Sequence, residues 1–171
     1  MINHFRCSNK MSDVFDVVIE IPKGSAIKYE YDKEQQRVRV DRFLNVSMVY
    51  PFNYGYIPGT LGGDGDPLDV LLVIEQVLLP NTVIKSRPIG VLAMEDEAGQ
   101  DEKIIAVPDK KVDLASSNIE DITQMSCHMK SSIQHFFECY KDLDSGKWVK
   151  VGKWYGAEEA KTIISKSLLN V

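Results

Sequence analysis

The sequence has few cysteines, no long apolar segment and no excess of basic residues. Its three cysteines, Cys7, Cys127 and Cys139, are an odd number without a C-x-x-C pair, which is not a disulfide framework and favours a reducing compartment. The densest apolar stretch, residues 70–79, is interrupted by two polar residues and falls short of the roughly 20 apolar residues of a membrane span. The first residues lack the apolar core of a secretory signal. These absences predict a cytoplasmic protein without a membrane partner.

Acidic residues outnumber basic ones, 25 to 20, and give a formal net charge of -5 at pH 7. A general nucleic-acid binder needs a basic face to displace counterions, so this balance argues against nucleic acid as a partner. A local basic pocket for an anion remains compatible with it. The chain has 171 residues, 44% of them hydrophobic, and can bury a core of its own. We expect a flexible tail over residues 1–13 and a single domain over residues 14–171.

Short β-branched segments come first along the chain, and helical patterns come last. We predict strands at residues 14–21, 27–32, 37–41, 70–74, 82–94, 103–107 and 148–151. Apolar residues recur at helical spacing in residues 129–140 and 157–168, which predicts two amphipathic helices. Residues 50–69 contain three prolines and five glycines, which predicts a long functional loop. Together these elements indicate an α+β, mainly β fold, an antiparallel barrel with helices packed outside.

Two short segments concentrate the acidic residues. The first is DGDPLD at residues 64–69, the second is EDEAGQDE at residues 95–102, and Glu30 lies on the polar face of the first hairpin. If these segments converge, their like charges destabilise the fold unless a cation lies among them. All the candidate ligands are oxygens, with no histidine or cysteine close in sequence, which suits Mg²⁺, Mn²⁺ or Ca²⁺ and disfavours Zn²⁺.

The acidic loop at residues 64–69 can be compared with three oxygen-ligand motifs. An EF-hand fails, because Leu68 and Asp69 occupy the positions where that motif needs a ligand and a glycine. A phosphatase with an aspartyl nucleophile carries its Asp pair at the end of a strand, whereas here the strand follows the loop. A two-metal hydrolytic site remains, in which carboxylates from several strands clamp two ions that polarise a water. The segment at residues 95–102 alone is more typical of an acidic surface hairpin.

A site that handles phosphate also needs cationic and phenolic groups. The candidate cations are Lys28, Arg42, Lys103, Lys141 and Lys147. Arginine can donate two parallel hydrogen bonds to phosphate oxygens, and a tyrosine hydroxyl can donate a single hydrogen bond. The candidate phenols are Tyr54 and Tyr140. Taken singly, each is more typical of a surface base or a core tyrosine, and only the acidic loop favours a binding role.

The cysteines and histidines in and just before the first predicted helix could be mistaken for a zinc site. His135 and Cys139 are four residues apart and share a helix face. Cys127 and His128 are adjacent, however, and point about 100° apart on a helix. We therefore favour helix packing or a subunit contact for this group.

With these residues identified, the chain resembles the family I soluble inorganic pyrophosphatases of the bacterial type. The resemblance covers about residues 14–169, and its most specific part is DGDPLDV at residues 64–70. Supporting motifs are VVIEIP at 17–22, KYE at 28–30, DRF at 41–43, YPFNYGYIP at 50–58, RPIGVLAMEDEAGQDEKIIAVP at 87–108, HFFECYKDL at 135–143 and KWVKV at 147–151. The segment before residue 14 differs from the family, and the glycine within residues 151–154 comes one position early. Neither departure involves a proposed ligand.

The resemblance implies a five-stranded OB-like closed barrel flanked by helices. It implies hydrolysis of inorganic pyrophosphate to two orthophosphates by a water that bridges two Mg²⁺ ions and is deprotonated by an aspartate. Several Mg²⁺ ions per active site are implied, with Mn²⁺ as a possible substitute. The implied assembly is a homohexamer, a dimer of trimers, with His135 at a subunit contact.

The resemblance also implies a role for each site residue. The first metal would be held by Asp64, Asp69 and Asp101, with Asp69 bridging to the second. Ions arriving with the substrate would be served by Asp96 and Asp101, with Glu30 nearby. The general base would be Asp66. Phosphate oxygens would be bound by Lys28, Arg42, Tyr54, Lys103, Tyr140 and Lys141, and the supporting residues would be Glu20, Tyr50 and Glu97.

Two other functions stay open on the sequence. An OB-type barrel can bind single-stranded nucleic acid, although the chain lacks a contiguous basic and aromatic groove. A Ca²⁺-binding protein would use the same carboxylates without turnover.

Overall fold

A computed structural model describes residues 13–32 and 34–169. The strands are β1 (Phe15–Ile21), β2 (Ile27–Asp32), β3 (Arg37–Phe43), β4 (Asn53–Tyr56), β5 (Asp69–Leu72), β6 (Val83–Asp96), β7 (Gly99–Gln100), β8 (Lys103–Pro108) and β9 (Val149–Gly156). The helices are a 3₁₀ turn (Ile122–Gln124), α1 (Cys127–Cys139) and α2 (Ala157–Ser167). Residues 1–12 of the predicted tail lie outside the described residues, and the domain boundary at residue 14 stays a prediction.

Five strands of the main sheet pair in a closed ring. Their order is β1, β4, β5, β8 and β6, and the pairing of β1 with β6 returns to the start. The mainly β fold with outer helices is therefore confirmed. One detail of the predicted antiparallel barrel is wrong, since β5 and β8 pair in parallel. The reason is that the chain reverses twice between them: β6 runs opposite to β5, and β8 then runs antiparallel to β6 and so parallel to β5.

The predicted loop at residues 50–69 is partly wrong, because it contains strand β4. Gly55 explains how a glycine-rich segment enters the sheet. A Cβ atom at this position would overlap the backbone carbonyl of Val18 on β1, so the close approach of these two strands requires glycine. Residues 57–68 have no strand or helix, as expected.

Both helices cover apolar faces of the sheet. The two helices predicted from the spacing of apolar residues are therefore confirmed. Ile133, Phe136 and Phe137 of α1 are buried in one apolar cluster with strand residues such as Leu71 and Ile105. On α2, the buried Ala160 and Ile164 belong to a second cluster with residues of β1, β5 and β8. Within the described residues, neither helix is long and apolar enough to cross a lipid bilayer.

Strands β2 and β3 form a separate two-stranded sheet. Their register places Lys28 opposite Arg42, with an irregularity directly after Lys28. Side chains directly opposite on paired strands lie close together, so this hairpin brings two cations side by side.

Candidate active site

An open pocket of about 340 Å³ lies where β5 and β8 begin and β6 ends. The β2–β3 hairpin, the loop before β5 and the segment after α1 complete its walls. All but one of the predicted site residues line it: Glu20, Lys28, Glu30, Arg42, Tyr54, Asp64, Asp66, Asp69, Asp96, Glu97, Asp101, Lys103, Tyr140 and Lys141. The exception, Tyr50, is buried beside the pocket, with its ring centroid 5.3 Å from that of Tyr54.

Lys103 is a buried cation between two carboxylates. The parallel register of β5 and β8 pairs Asp69 with Lys103, and the ammonium Nζ donates to Asp69 Oδ2 at 2.6 Å and also to Asp101. Burial alone would lower the pKa of Lys103, but the two carboxylates outweigh burial and raise it. Burial raises the pKa of Asp101 to about 6, against the attraction of Lys103. Two acids around one ammonium leave an excess negative charge, which makes Asp101 harder to ionise while Lys103 stays protonated.

A second ion pair joins the end of β6 to the segment after α1. Lys141 Nζ donates to Asp96 Oδ2 at 2.6 Å, and both side chains are at most 10% exposed. Lys141 and Lys147 also lie 3.6 Å and 3.4 Å from Glu97 Oε1. Burial would raise the pKa of Asp96, but the hydrogen bonds from Lys141 and the Ala98 backbone lower it overall. Asp96 is therefore held as a carboxylate.

The hairpin contributes a third charged group to the pocket. Lys28 Nζ bonds to Glu30 and lies 3.2 Å from Asp41 Oδ2, and Arg42 Nη1 donates to the same Asp41 oxygen at 2.9 Å. Burial would lower the pKa of Lys28, but the bond to Glu30 and the charge of Asp41 raise it overall. Lys28 and Arg42 are thus two fixed positive charges on one wall.

The acidic loop is a tight turn that presents Asp66 to solvent. The backbone N–H of Asp66 donates to Asp64 Oδ1 at 3.0 Å, and its carbonyl accepts from the N–H of Gly62 at 2.6 Å. Gly65 between the two acids has φ +90°, a conformation that favours glycine. The turn therefore fixes the spacing of Asp64 and Asp66 and leaves Asp66 exposed.

Two tyrosines of the pocket lining, Tyr54 and Tyr140, pack against buried phenylalanine rings of α1. The ring centroids of Tyr54 and Phe137 are 6.3 Å apart, and those of Phe136 and Tyr140 are 5.3 Å apart. Burial raises the pKa of Tyr54 and of Tyr140 above the ordinary value for tyrosine. Both phenols therefore keep their protons near neutral pH and can donate hydrogen bonds.

Glu20 is a partly buried carboxyl group on β1. Its Oε1 accepts a hydrogen bond from the backbone N–H of Tyr31 at 2.8 Å. Burial raises its pKa to about 7, with a smaller contribution from the nearby charge of Asp69. Glu20 therefore titrates close to neutral pH.

The chemistry of the pocket lining fits hard divalent cations. Acidic side chains outnumber basic ones along it, so its field attracts positive charge, and the metal-binding candidates are all oxygen donors. Across residues 13–32 and 34–169, no three Asp, Glu, His or Cys side chains already form a closed metal cluster. Instead, Lys103 and Lys141 hold individual carboxylates in place.

Some pocket residues were missed by the sequence interpretation. Tyr29, Tyr31 and Tyr56 line the pocket without having been assigned a role. Tyr56 could have been found as the partner of Tyr54 two positions along a strand, but the glycine-rich segment around it was interpreted as loop. On α1, the His135 Nδ1 and Cys139 Sγ atoms are 3.6 Å apart, and neither residue lines the pocket.

Comparison with known proteins identifies the family. The sequence model of the family described as inorganic pyrophosphatase matches residues 17–171. An inorganic pyrophosphatase of Sulfolobus acidocaldarius is 54% identical over 159 residues, which cover 93% of this chain and 92% of that protein. One of Xanthomonas axonopodis pv. citri is also 54% identical over 159 residues, covering 92% of this chain and 89% of that protein.

Solved structures show the same relationship. The inorganic pyrophosphatase of Helicobacter pylori superposes with a TM-score of 0.89 at 48% identity, over 91% of each chain. That of Thermus thermophilus gives a TM-score of 0.88 at 43% identity, over 93% of this chain and 91% of that one. The closed ring of five strands is accordingly the OB-like barrel of these enzymes. Both the sequence match and the shared fold extend over nearly the whole chain. This chain therefore belongs to the family I inorganic pyrophosphatases, which are inorganic diphosphatases.

Proposed function

We propose that this chain hydrolyses inorganic pyrophosphate to two orthophosphates in the pocket, with Mg²⁺ as the metal and Mn²⁺ as a substitute. The observation that carries the proposal is one pocket in which oxygen ligands and fixed cations lie side by side. Pyrophosphate is densely anionic and repels an attacking hydroxide. A site that neutralises it needs metal ligands on one wall and phosphate-binding groups on another.

The metal ligands of this proposal are acids at strand ends and in the loop before β5. Asp64, Asp69 and Asp101 would hold the first ion, and Asp69 would also serve the second. Asp96 and Asp101 would serve ions that arrive with the substrate, with Glu30 nearby. Bound Mg²⁺ neutralises phosphate charge and lowers the pKa of water towards neutrality. The pocket contains enough oxygen donors for several such ions.

The other residues act on the water and on the substrate. Asp66 accepts the proton of the attacking water, since it is an exposed carboxylate on a rigid turn. Phosphate oxygens are bound by Lys28, Arg42, Tyr54, Lys103, Tyr140 and Lys141. The supporting residues are Glu20, Tyr50 and Glu97, which hold or neighbour these groups.

We also propose a homohexamer, a dimer of trimers, located in the cytoplasm. Cys127 and Cys139 are free thiols, which suits a reducing compartment. Large apolar side chains such as Trp148 and Tyr155 are 47% and 45% exposed in the single chain, which suits contacts between subunits.

The proposal is tested by phosphate release from pyrophosphate. With Mg²⁺ we expect rapid release, which EDTA abolishes and fluoride inhibits. Ca²⁺ fits the carboxylates but is larger and less strict in geometry, so we expect it to inhibit. No release with Mg²⁺, or full activity with Ca²⁺ alone, contradicts the proposal. Steep salt-dependent binding of single-stranded DNA without turnover would instead favour an oligonucleotide-binding module.

A further inference from the structure

Asp144 is a buried acid outside the pocket lining that contacts a cation of the pocket. Its side chain is 8% exposed, and its Oδ2 lies 3.3 Å from Nε of Arg42. Its other oxygen, Oδ1, accepts a hydrogen bond from Asn45 Nδ2 at 2.7 Å. Arg42 belongs to β3, and Asn45 lies two residues after the end of that strand. One carboxylate therefore holds the end of β3 at two points.

The backbone around Asp144 is well fixed. Its N–H donates to the carbonyl of Lys141 at 2.9 Å, and its own carbonyl accepts from the N–H of Lys147 at 3.2 Å. Gly146 within this turn has φ +75°. The same short segment thus presents Lys141 and Lys147 to the pocket and Asp144 to the hairpin.

Strands β2 and β3 form a sheet of their own, separate from the barrel. The Tyr31 N–H bond to Glu20 ties β2 to β1, whereas the contacts of Asp144 tie the end of β3 to the segment after α1. Arg42 Nη1 is held by Asp41 of the hairpin itself, which does not fix the hairpin against the rest of the molecule. The Nε and Nη2 groups of Arg42 are buried and make no hydrogen bond within the described residues, as is the case for Asp144 Oδ2. Their 3.3 Å ion pair supplies each group with a counter-charge, and removing one partner would leave the other charge buried without one, which is costly.

We propose that Asp144 is a positioning residue, which orients the Arg42 guanidinium towards the phosphate subsite and ties the hairpin to the segment after α1. This inference rests on the proposed function, in which Arg42 binds a phosphate oxygen. Asp144 itself does not line the pocket. Its effect is to keep a rotatable side chain and a separate hairpin in the geometry that binding requires.

The test compares steady-state hydrolysis of Mg²⁺-pyrophosphate by the wild type, Asp144→Asn and Asp144→Glu. Asp144→Asn removes the charge that faces Arg42, so we expect KM to rise about tenfold while kcat changes less than about twofold. Asp144→Glu keeps the carboxylate and should restore KM to within about threefold of the wild type. Asp142→Asn, the same change at an exposed residue of the same segment, is the matched control and should leave both constants unchanged.

A second readout does not depend on activity. In ¹⁵N NMR, the Nε–H of Arg42, assigned with an Arg42→Lys variant, should exchange with solvent several-fold faster in Asp144→Asn than in the wild type. If Asp144→Asn fails to fold, Asn45→Ala provides the same comparison with the carboxylate retained, and we expect a smaller change in the same direction.

A wild-type KM together with unchanged Nε–H exchange in Asp144→Asn would overturn the inference. Equal effects of Asp144→Asn and Asp142→Asn would overturn it as well. If the wild type releases no phosphate, the proposed function fails, and the exchange rates alone then decide whether Asp144 positions Arg42.

Discussion

The charge state and position of individual side chains in this pocket are set by their charged neighbours. Lys103 is buried, yet it stays protonated because Asp69 and Asp101 lie against its ammonium group. Lys141 and Asp96 form a comparable ion pair in the same pocket. Such groups are fixed before any ligand arrives, and this preorganisation is what stabilises developing charge in phosphoryl transfer.

Asp66→Asn tests the proposed general base. The amide cannot accept the proton, so we expect kcat to fall by at least about 10²-fold. The carboxylate is exposed, and the turn uses the Asp66 backbone and the Asp64 side chain, so the melting temperature should stay within about 1 °C. Glu159→Gln, the equivalent change at an exposed residue of α2, is the control. Turnover near the wild-type rate in Asp66→Asn would remove Asp66 from this role.

Glu20→Gln tests the raised pKa of Glu20. Burial raises its pKa from the ordinary value of 4.5 to about 7 in the folded chain, so folding favours the protonated form. Its contribution to stability is fully present below about pH 4.5 and is lost as pH rises through 7. Glutamine keeps the acceptor for the Tyr31 N–H without the charge. In EDTA, we expect the variant's melting temperature to exceed that of the wild type by about 3 °C at pH 8 and to match it at pH 4. An equal difference at both pH values would contradict the prediction.

The sequence predicted which side chains belong to the site better than it predicted which side chains contact each other. DGDPLDV identified Asp64, Asp66 and Asp69, and the structure places all three on one pocket. Asp144 was missed, because its partner Arg42 lies on a distant segment and nothing in the local pattern links the two. Their contact exists only once the hairpin and the end of α1 are both folded.

At the scale of elements, α2 begins with an unusual cap. Its N-cap residue, Gly156, supplies no side-chain hydrogen bond. Instead, Asp121 Oδ2 accepts from the N–H of Ala157 at 2.8 Å, while Oδ1 accepts from the N–H of Thr123 at 3.0 Å. One carboxylate therefore caps both the 3₁₀ turn and α2.

Asp121→Ala should destabilise the fold without affecting the site. Loss of an N-cap costs about 1–2 kcal/mol, which corresponds to a melting temperature lower by roughly 3–6 °C. Asp121→Asn retains one acceptor and should lower the melting temperature less. Differential scanning calorimetry checks both values, and an unchanged transition in Asp121→Ala would show that other contacts fix the start of α2.

Helices and strands with a strong local sequence pattern could be predicted, and those with a weak pattern were missed. The 3.6-residue stripe of α1 predicted the helix that covers the barrel. Strand β4 was missed because Gly55 has a weak strand preference, and only its close approach to Val18 explains its place in the sheet. The cap of α2 by Asp121 could not be predicted either. Asp121 and Ala157 are 36 residues apart, and no local pattern links them.

At the scale of the whole molecule, the surface predicts assembly. Phe43 and Leu143 are 65% and 67% exposed, in addition to Trp148 and Tyr155. Multi-angle light scattering should give about six times the chain mass of 19.3 kDa. A monomer mass at micromolar concentration would contradict the proposed hexamer without bearing on the chemistry of the pocket.

The proposed hydrolysis depends on carboxylates of distant segments binding divalent ions in one pocket. The most direct measurement is calorimetric titration of Mn²⁺ into metal-free protein, for the wild type, Asp69→Asn and the surface control Glu159→Gln. We predict that the wild type and the control bind at least two ions per chain, and that Asp69→Asn loses at least one of them. A wild type that binds no Mn²⁺, or an Asp69→Asn variant that binds it as the wild type does, would contradict the account.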